Sequence, residues 1–120
     1  MREGVKEAYL SAKDRLGGAT LEQFDDSLAC AIIHPVKVRG EIAGAIIQIG
    51  NEIHCCIMAQ FFRRWVSKST LILINGIIDQ YGEVTTQATT DQGVSFVKRG
   101  GFSFSDGKYR KTTKWVLNQS

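Results

Sequence analysis

The sequence predicts an α/β fold of the α+β kind, in which helices flank a mixed, mostly antiparallel central sheet in the order ααβββαβαββ. Three observations support this class. Apolar residues recur at helical spacing over residues 5–16 and 71–81. β-Branched residues dominate residues 31–58, with breaks at Gly40 and Gly50, which is typical of a strand meander. An Asp106-Gly107 pair predicts a closing hairpin.

The first two elements are predicted to be helices. An apolar stripe begins at Val5 and ends at Leu16, where two glycines supply the freedom that a left-handed cap requires. Thr20 and Gln23 then have the spacing of a capping box, in which each side chain satisfies a backbone amide of the other. A second helix is therefore expected from this point to about Ala29.

Three antiparallel strands are expected next, over residues 31–38, 42–49 and 53–58. Pro35 has no amide hydrogen to donate to a ladder. The first of these strands should therefore be irregular at Pro35 or lie near an edge of the sheet.

The C-terminal half is expected to alternate between helix and strand. A third helix should carry Leu71 and Tyr81 on one face and stop at Gly82. A strand is predicted over residues 84–88, and a short helix capped by Thr90 or Asp91 should run through residue 98. The hairpin is predicted to pair residues 102–104 with residues 112–116.

Length and composition favour one compact domain over residues 1–120. The chain has 120 residues and 43% hydrophobic content, enough for a single core. No apolar run approaches the roughly 20 residues of a membrane span, and the N-terminus lacks the apolar stretch of a secretory signal. We therefore expect a soluble, cytoplasmic protein without a membrane partner.

The cysteines are expected to be reduced thiols. Their number is odd, and Cys55 and Cys56 are neighbours in the chain, too constrained for an ordinary disulfide. Neither His34 nor His54 has the spacing of a zinc ligand, so no metal site is predicted.

Positive charge is concentrated near the C-terminus. Residues 94–120 hold six basic side chains against Asp106 alone, whereas residues 1–30 hold four basic and six acidic ones. A basic tail of this kind attracts polyanions or simply keeps a surface solvated.

Two segments resemble the GNAT family of acetyl-coenzyme A dependent N-acetyltransferases. In that family a strand leads into a phosphate-binding turn of pattern Gln/Arg-x-x-Gly-x-Gly/Ala that opens a helix, and Arg64-Trp65-Val66-Ser67-Lys68-Ser69 is similar to it. Residues 89–102, TTDQGVSFVKRGGF, resemble the family's short helix with its terminal Gly-Phe pair. The likeness extends over about residues 1–116 and includes short bacteriophage proteins of this type.

The resemblance implies acetyl-coenzyme A as the cofactor. Its diphosphate would lie at the turn, where a helix N-terminus and nearby cations attract an anion, and its pantetheine arm would run beside the preceding strand. The residues implied for this site are Ile57, Ala59, Phe61, Arg63, Arg64, Trp65, Val66, Ser67, Lys68, Ser69, Asp91 and Phe96. Trp65 could equally anchor the helix in the core.

The chain departs from the family pattern at several positions. Ser67 and Ser69 replace both turn glycines, and a Cβ at such positions hinders close approach of a ligand to the backbone. Val97 stands where many relatives carry a tyrosine general acid. The chain also opens with a helix where relatives open with a strand, so a homodimer could complete the sheet.

Glu52 and His54 are the candidate catalytic residues. Strand alternation places them on one face, together with Cys56, and acyl transfer to an ammonium needs a base to remove a proton. Relatives sometimes carry a glutamate base on this strand. The alternatives are a surface glutamate with a packed histidine, and a Cys56 nucleophile activated by His54.

The leading interpretation is transfer of an acetyl group from acetyl-coenzyme A to an amine, either a small molecule or a protein N-terminus or lysine. A second interpretation is a degenerate member of the family that serves as a binding or assembly module, for example a phage structural protein. The leading interpretation involves no nucleic acid. A third one does, through the basic hairpin with Phe102, Phe104 and Tyr109 as stacking residues.

Overall fold

The computed structural model describes residues 1–116 of the chain. It contains four α-helices and six strands in the predicted order, so the predicted mixed and mostly antiparallel α/β class is confirmed. The helices are α1 (Val5–Ala12), α2 (Leu21–Ser27), α3 (Lys68–Tyr81) and α4 (Asp91–Arg99). The strands are β1 (Ile32–Val38), β2 (Glu41–Ile49), β3 (Glu52–Ile57), β4 (Val84–Thr86), β5 (Ser103–Ser105) and β6 (Lys108–Lys111).

The strands follow the order β1-β2-β3-β4-β6-β5. The chain divides into two compact units, the first comprising residues 1–49 and 54–65 and the second residues 50–53 and 66–120. The single domain predicted over residues 1–120 stays a prediction, and its last four positions, residues 117–120, lie outside the described residues.

Helix α1 ends earlier than the apolar stripe predicts. It stops at Ala12, and a 3-10 turn continues over Lys13–Arg15 before the two glycines. Helix α2 begins as predicted, because the Thr20 hydroxyl accepts from the Gln23 amide at 3.1 Å and the Gln23 side chain accepts from the Thr20 amide at 2.8 Å. Local capping therefore determines where α2 begins.

The core of unit 1 lies between the first two helices and the meander. Its fully buried members are small or aliphatic, which lets α1 approach β2 closely. They are Val5, Ala8, Leu28, Ala31, Ala45 and Ile47, with Leu21, Phe24, Ile33 and Cys56 packed against them.

Strand β1 lies at an end of the strand order, so the edge position that was one of the two alternatives expected from Pro35 is confirmed. Pro35 itself pairs with Ala45 in regular register, and the register shifts between Val36 and Lys37. Val36 pairs with Gly44 and Lys37 with Ile42, which leaves Ala43 as the extra residue of a bulge in β2. The carbonyl of Ala43 accepts from the amide of Met58 at 2.9 Å. The bulge thus binds the residue that follows β3.

At Gly44 the backbones of β2 and β3 approach each other closely. The φ of Gly44 is +154°, and a Cβ at this position would lie 2.0 Å from the carbonyl oxygen of Cys56. Only glycine fits here, because any side chain would overlap the backbone of β3.

In unit 2, β4 pairs in parallel with β3 and antiparallel with β6. Helix α3 ends at Gly82, as predicted, with a left-handed φ of 85°. Strand β4 is shorter than expected, since it stops at Thr86 where residue 88 was predicted. Thr90 caps α4 by accepting from the Gly93 amide at 3.1 Å.

The predicted return strand of the hairpin, residues 112–116, is wrong. Asp106 and Gly107 have φ values of 52° and 76°, which make a tight turn of two residues. Lys108 therefore pairs directly with Ser105, and the return strand is β6.

The segment after β6 is held by a side chain of α3. The amide nitrogen of Asn75 donates to the Trp115 carbonyl at 3.0 Å, and its oxygen accepts from the Trp115 amide at 2.7 Å. The Trp115 ring packs on Phe96 with centroids 5.6 Å apart. An asparagine thus provides the two hydrogen bonds that a neighbouring strand would otherwise supply.

We expect Gly44→Ala to lower the free energy of unfolding by about 3 kcal/mol, because it combines an overlap with a strained φ. Urea denaturation of the purified protein measures this loss. The control is Gly50→Ala, whose φ is also positive at 62° but whose Cβ would meet nothing within 4 Å. It should cost only about 1 kcal/mol, and equal losses in the two variants would contradict the close approach.

Asn75→Ala should cost about 2 kcal/mol, because it leaves the amide and carbonyl of Trp115 without their partner. Asp79→Ala is the matched control on the same helix, since Asp79 pairs with Lys114 at 2.7 Å but both side chains are more than half exposed. That change should cost no more than about 0.5 kcal/mol. Thermal unfolding followed by circular dichroism compares the two, and a larger loss in the Asp79 variant would contradict the role of Asn75.

Candidate functional site

The start of α3 presents free backbone donors beside a cation. The first intrahelical bond runs from the Leu71 amide to the Ser67 carbonyl at 3.2 Å, so the amides of Lys68 and Ser69 have no acceptor within the helix. The side chains of Ser67, Lys68 and Ser69 are exposed. The Ser67 amide itself donates to the Thr70 hydroxyl at 3.3 Å. Two amides, an ammonium and the positive end of a helix dipole can together bind an anion.

The residues that precede this helix belong to unit 1. Arg63 and Arg64 are exposed, and the Arg64 guanidinium donates to the Gln60 carbonyl at 2.8 Å. Trp65 is only 6% exposed. Its ring therefore packs in the interior, which favours the core role that the sequence left open.

Several residues predicted to line the cofactor site are buried. Ile57 and Phe61 are each 6% exposed, and Phe96 packs against the rings of Phe102 and Trp115. Ala59, Val66 and Asp91 are exposed. The family resemblance selected segments of the chain, and it did not separate side chains that point inward from those that point outward.

Glu52, the candidate base, forms an ion pair in unit 2. Its Oε1 accepts from the Nζ of Lys108 on β6 at 2.5 Å, and the two side chains are 21% and 38% exposed. His54 is half-buried and belongs to unit 1. The predicted partnership of Glu52 with His54 stays a prediction.

A polar face surrounds this ion pair. Glu52 registers with Thr85 on β4, and Thr85 registers with Arg110 on β6, so the three side chains share one face of the sheet. Arg110 Nη1 donates to Glu83 at 2.6 Å. The hydroxyl of Thr85 is buried and has no hydrogen-bond partner among the described residues. Two ion pairs therefore flank an unsatisfied hydroxyl.

Sequence reasoning missed Lys108 as a site residue. The pair joins positions 52 and 108, which no local pattern connects. The only signal in the sequence is the spacing of Lys108 and Arg110, which stand on either side of Tyr109. In a strand this spacing places both cations on one face.

The neighbouring thiols are poor nucleophiles. Burial raises the pKa of Cys55, and it also raises the pKa of Cys56, although the Arg15 guanidinium and a hydrogen bond from Ser11 act in the opposite direction. A thiolate is the reactive form of cysteine. The geometry therefore does not favour Cys56 as a nucleophile.

Most cations of the basic tail already have partners. Lys108, Arg110 and Lys114 form ion pairs with Glu52, Glu83 and Asp79. Lys111 is 7% exposed, lies 5.8 Å from the centre of the Trp115 ring, and has its pKa lowered by burial. These contacts neutralise much of the charge that the nucleic-acid interpretation requires.

Within residues 1–116, no helix is long and apolar enough to cross a membrane. No group of three or more histidine, cysteine, aspartate or glutamate side chains in this range could hold a metal ion. Comparisons of the chain with protein-family models, with curated proteins and with solved structures found no match.

We expect alkylation of the native protein by iodoacetamide near neutral pH to modify Cys30 at least about tenfold faster than Cys55 or Cys56. Cys30 is exposed, whereas Cys55 and Cys56 are half-buried, and the raised pKa of each of them lowers its thiolate fraction by tenfold for every unit of the shift. Peptide mapping by mass spectrometry gives the three rates. Protein unfolded in urea is the control, and its three cysteines should react at similar rates. Rapid labelling of Cys56 in the native protein would make Cys56 a candidate nucleophile again.

Proposed function

We propose that this chain is an acyl-coenzyme A binding protein of the GNAT type that transfers an acetyl group to an amine. One observation carries the proposal: β3 and β4 are connected by α3 and pair in parallel. The sheet, of order β1-β2-β3-β4-β6-β5, is otherwise mostly antiparallel. The connection of β3 to β4 through α3 makes the start of that helix the natural place for a phosphate. A fold alone does not define a function, so the site must support it.

The start of α3 fits a diphosphate. The amides of Lys68 and Ser69 would donate to its oxygens, the Lys68 ammonium would add charge-assisted hydrogen bonds, and the hydroxyls of Ser67 and Ser69 can also donate. Arg63 and Arg64, which precede the helix, remain predicted contributors. When bound, acyl-coenzyme A supplies a thioester whose carbonyl carbon an amine can attack.

Glu52 is the proposed general base. Its carboxylate already accepts a hydrogen bond from an ammonium group, that of Lys108, which is the kind of contact that deprotonation of an amine substrate requires. The acceptor would be a small amine, a protein N-terminus or a lysine side chain. A cytoplasmic location and a homodimer stay predictions.

The same ion pair favours a second candidate function. If Lys108 stays on Glu52, the proposed base does not reach an external amine, and the chain would act as a binding or assembly module without turnover. An assay of coenzyme A release against a panel of amines separates the two candidates, with Glu52→Gln as the inactive reference.

We expect isothermal titration to detect binding of acetyl-coenzyme A, and Lys68→Glu to weaken it by about tenfold or more, because the variant replaces a charge-assisted contact with repulsion. Lys98→Glu, which makes the same charge change at an exposed position of α4, is the control and should bind as the parent does. Absence of heat at millimolar ligand, with an unchanged melting temperature, would overturn the proposal. Equally tight binding of ADP would indicate a nucleotide site in place of an acyl-coenzyme A site.

A further inference from the structure

The Lys108 ammonium occupies the position on Glu52 that an amine acceptor would take. Nζ lies 2.5 Å from Oε1, within the reach that general-base catalysis needs. The carboxylate is the more buried partner, with its side chain 21% exposed against 38% for Lys108. Lys108 is therefore the more solvent-accessible partner of the pair.

The surroundings set this lysine apart from the other paired cations of the tail. Arg110, the nearest other cation on the same strand face, is bound to Glu83 and does not compete for Glu52. Lys114 pairs with Asp79 at the protein surface, where the two side chains are 57% and 60% exposed. Water therefore screens this contact. Lys111 has no carboxylate within salt-bridge distance among the described residues. Within residues 94–116, Lys108 is thus the lysine that joins a half-buried carboxylate.

We propose that Lys108 is an internal acyl acceptor, modified by the protein's own acyl thioester with Glu52 as the base. This inference rests on the proposed function. Glu52 removes a proton from the Lys108 ammonium, and the neutral amine attacks the thioester carbonyl. The new C–N bond forms as the C–S bond breaks, and the thiolate that leaves takes up the proton held by Glu52. The regenerated carboxylate then accepts the second proton from the nitrogen and releases it to water. The products are an amide at Lys108, a free thiol and one proton.

Acylation of Lys108 would change the polar face. The amide carries no positive charge, so the ion pair between Lys108 and Glu52 is lost. The Thr85 hydroxyl, which lies on the same face and has no hydrogen-bond partner within residues 1–116, is a donor that the new amide oxygen can accept from. A single modification would thus remove the cation that faces Glu52 and place an amide on the polar face.

The test is the rate at which acetyl-coenzyme A modifies each lysine of the full-length protein, followed by intact mass and peptide mapping. We expect Lys108 to be acetylated at least about tenfold faster than Lys114. Glu52→Gln keeps an oxygen for the ammonium but removes the base, and it should slow Lys108 by about 100-fold while leaving Lys114 unchanged. Glu83→Gln, which alters the other carboxylate of the polar face, is the matched control and should change the Lys108 rate less than threefold. Lys108→Arg should carry no label at position 108.

Two failures can be told apart. If titration detects binding of acetyl-coenzyme A but Lys108 reacts no faster than Lys114, or is unaffected by Glu52→Gln, the internal acceptor is ruled out and the proposed function stands. If no binding occurs, both proposals fall. Should the Glu52 variant not fold, the comparison of Lys108 with Lys114 in the unaltered protein still decides.

Discussion

The short parallel ladder between β3 and β4 is the contact on which the polar face depends. The Thr85 amide donates to the Asn51 carbonyl at 2.9 Å, and the Thr86 hydroxyl donates to the Ile53 carbonyl at 2.7 Å. These bonds set Glu52 level with Thr85 and hence with the cations of β6. A slip by one residue would move Glu52 to the opposite face, because side chains alternate along a strand. The ladder thus decides whether Glu52 meets a lysine at all.

The balance of charge in unit 2 follows from this arrangement. The sequence of the tail has an excess of cations, yet three of them pair with carboxylates from β3, from the residue before β4 and from α3. Half-buried ion pairs gain little net stability, because the desolvation of both partners offsets their attraction. Their value here lies in position: they hold Lys108 and Arg110 at defined places beside a buried hydroxyl. This is the reason to regard the face as a site, although each pair alone would be an ordinary surface contact.

The parts of the fold that the sequence predicted best are those decided by neighbours along the chain. The Thr20–Gln23 capping box, the stop of α3 at Gly82 and the cap of α4 at Thr90 each need only a few consecutive residues. The hairpin was misplaced for the opposite reason. The Asp106-Gly107 turn was recognised, but the return strand was assigned to the later apolar residues, and the geometry of a two-residue turn places it immediately after Gly107. Asn75 then holds the segment that had been taken for a strand.

By itself the sequence determined the order of the elements, their caps and the presence of a cation at the start of α3, because these depend on periodicity and on short-range hydrogen bonds. Only the tertiary structure decided that Glu52 meets Lys108, that the ring of Trp65 is buried and that the Thr85 hydroxyl has no hydrogen-bond partner in the described part of the chain. These three features depend on which strands become neighbours. Pairing between residues far apart in the chain cannot be predicted from local composition. The candidate chemistry of this protein arises from that pairing, since a carboxylate becomes a base for a particular amine only when the fold brings the two within hydrogen-bonding distance.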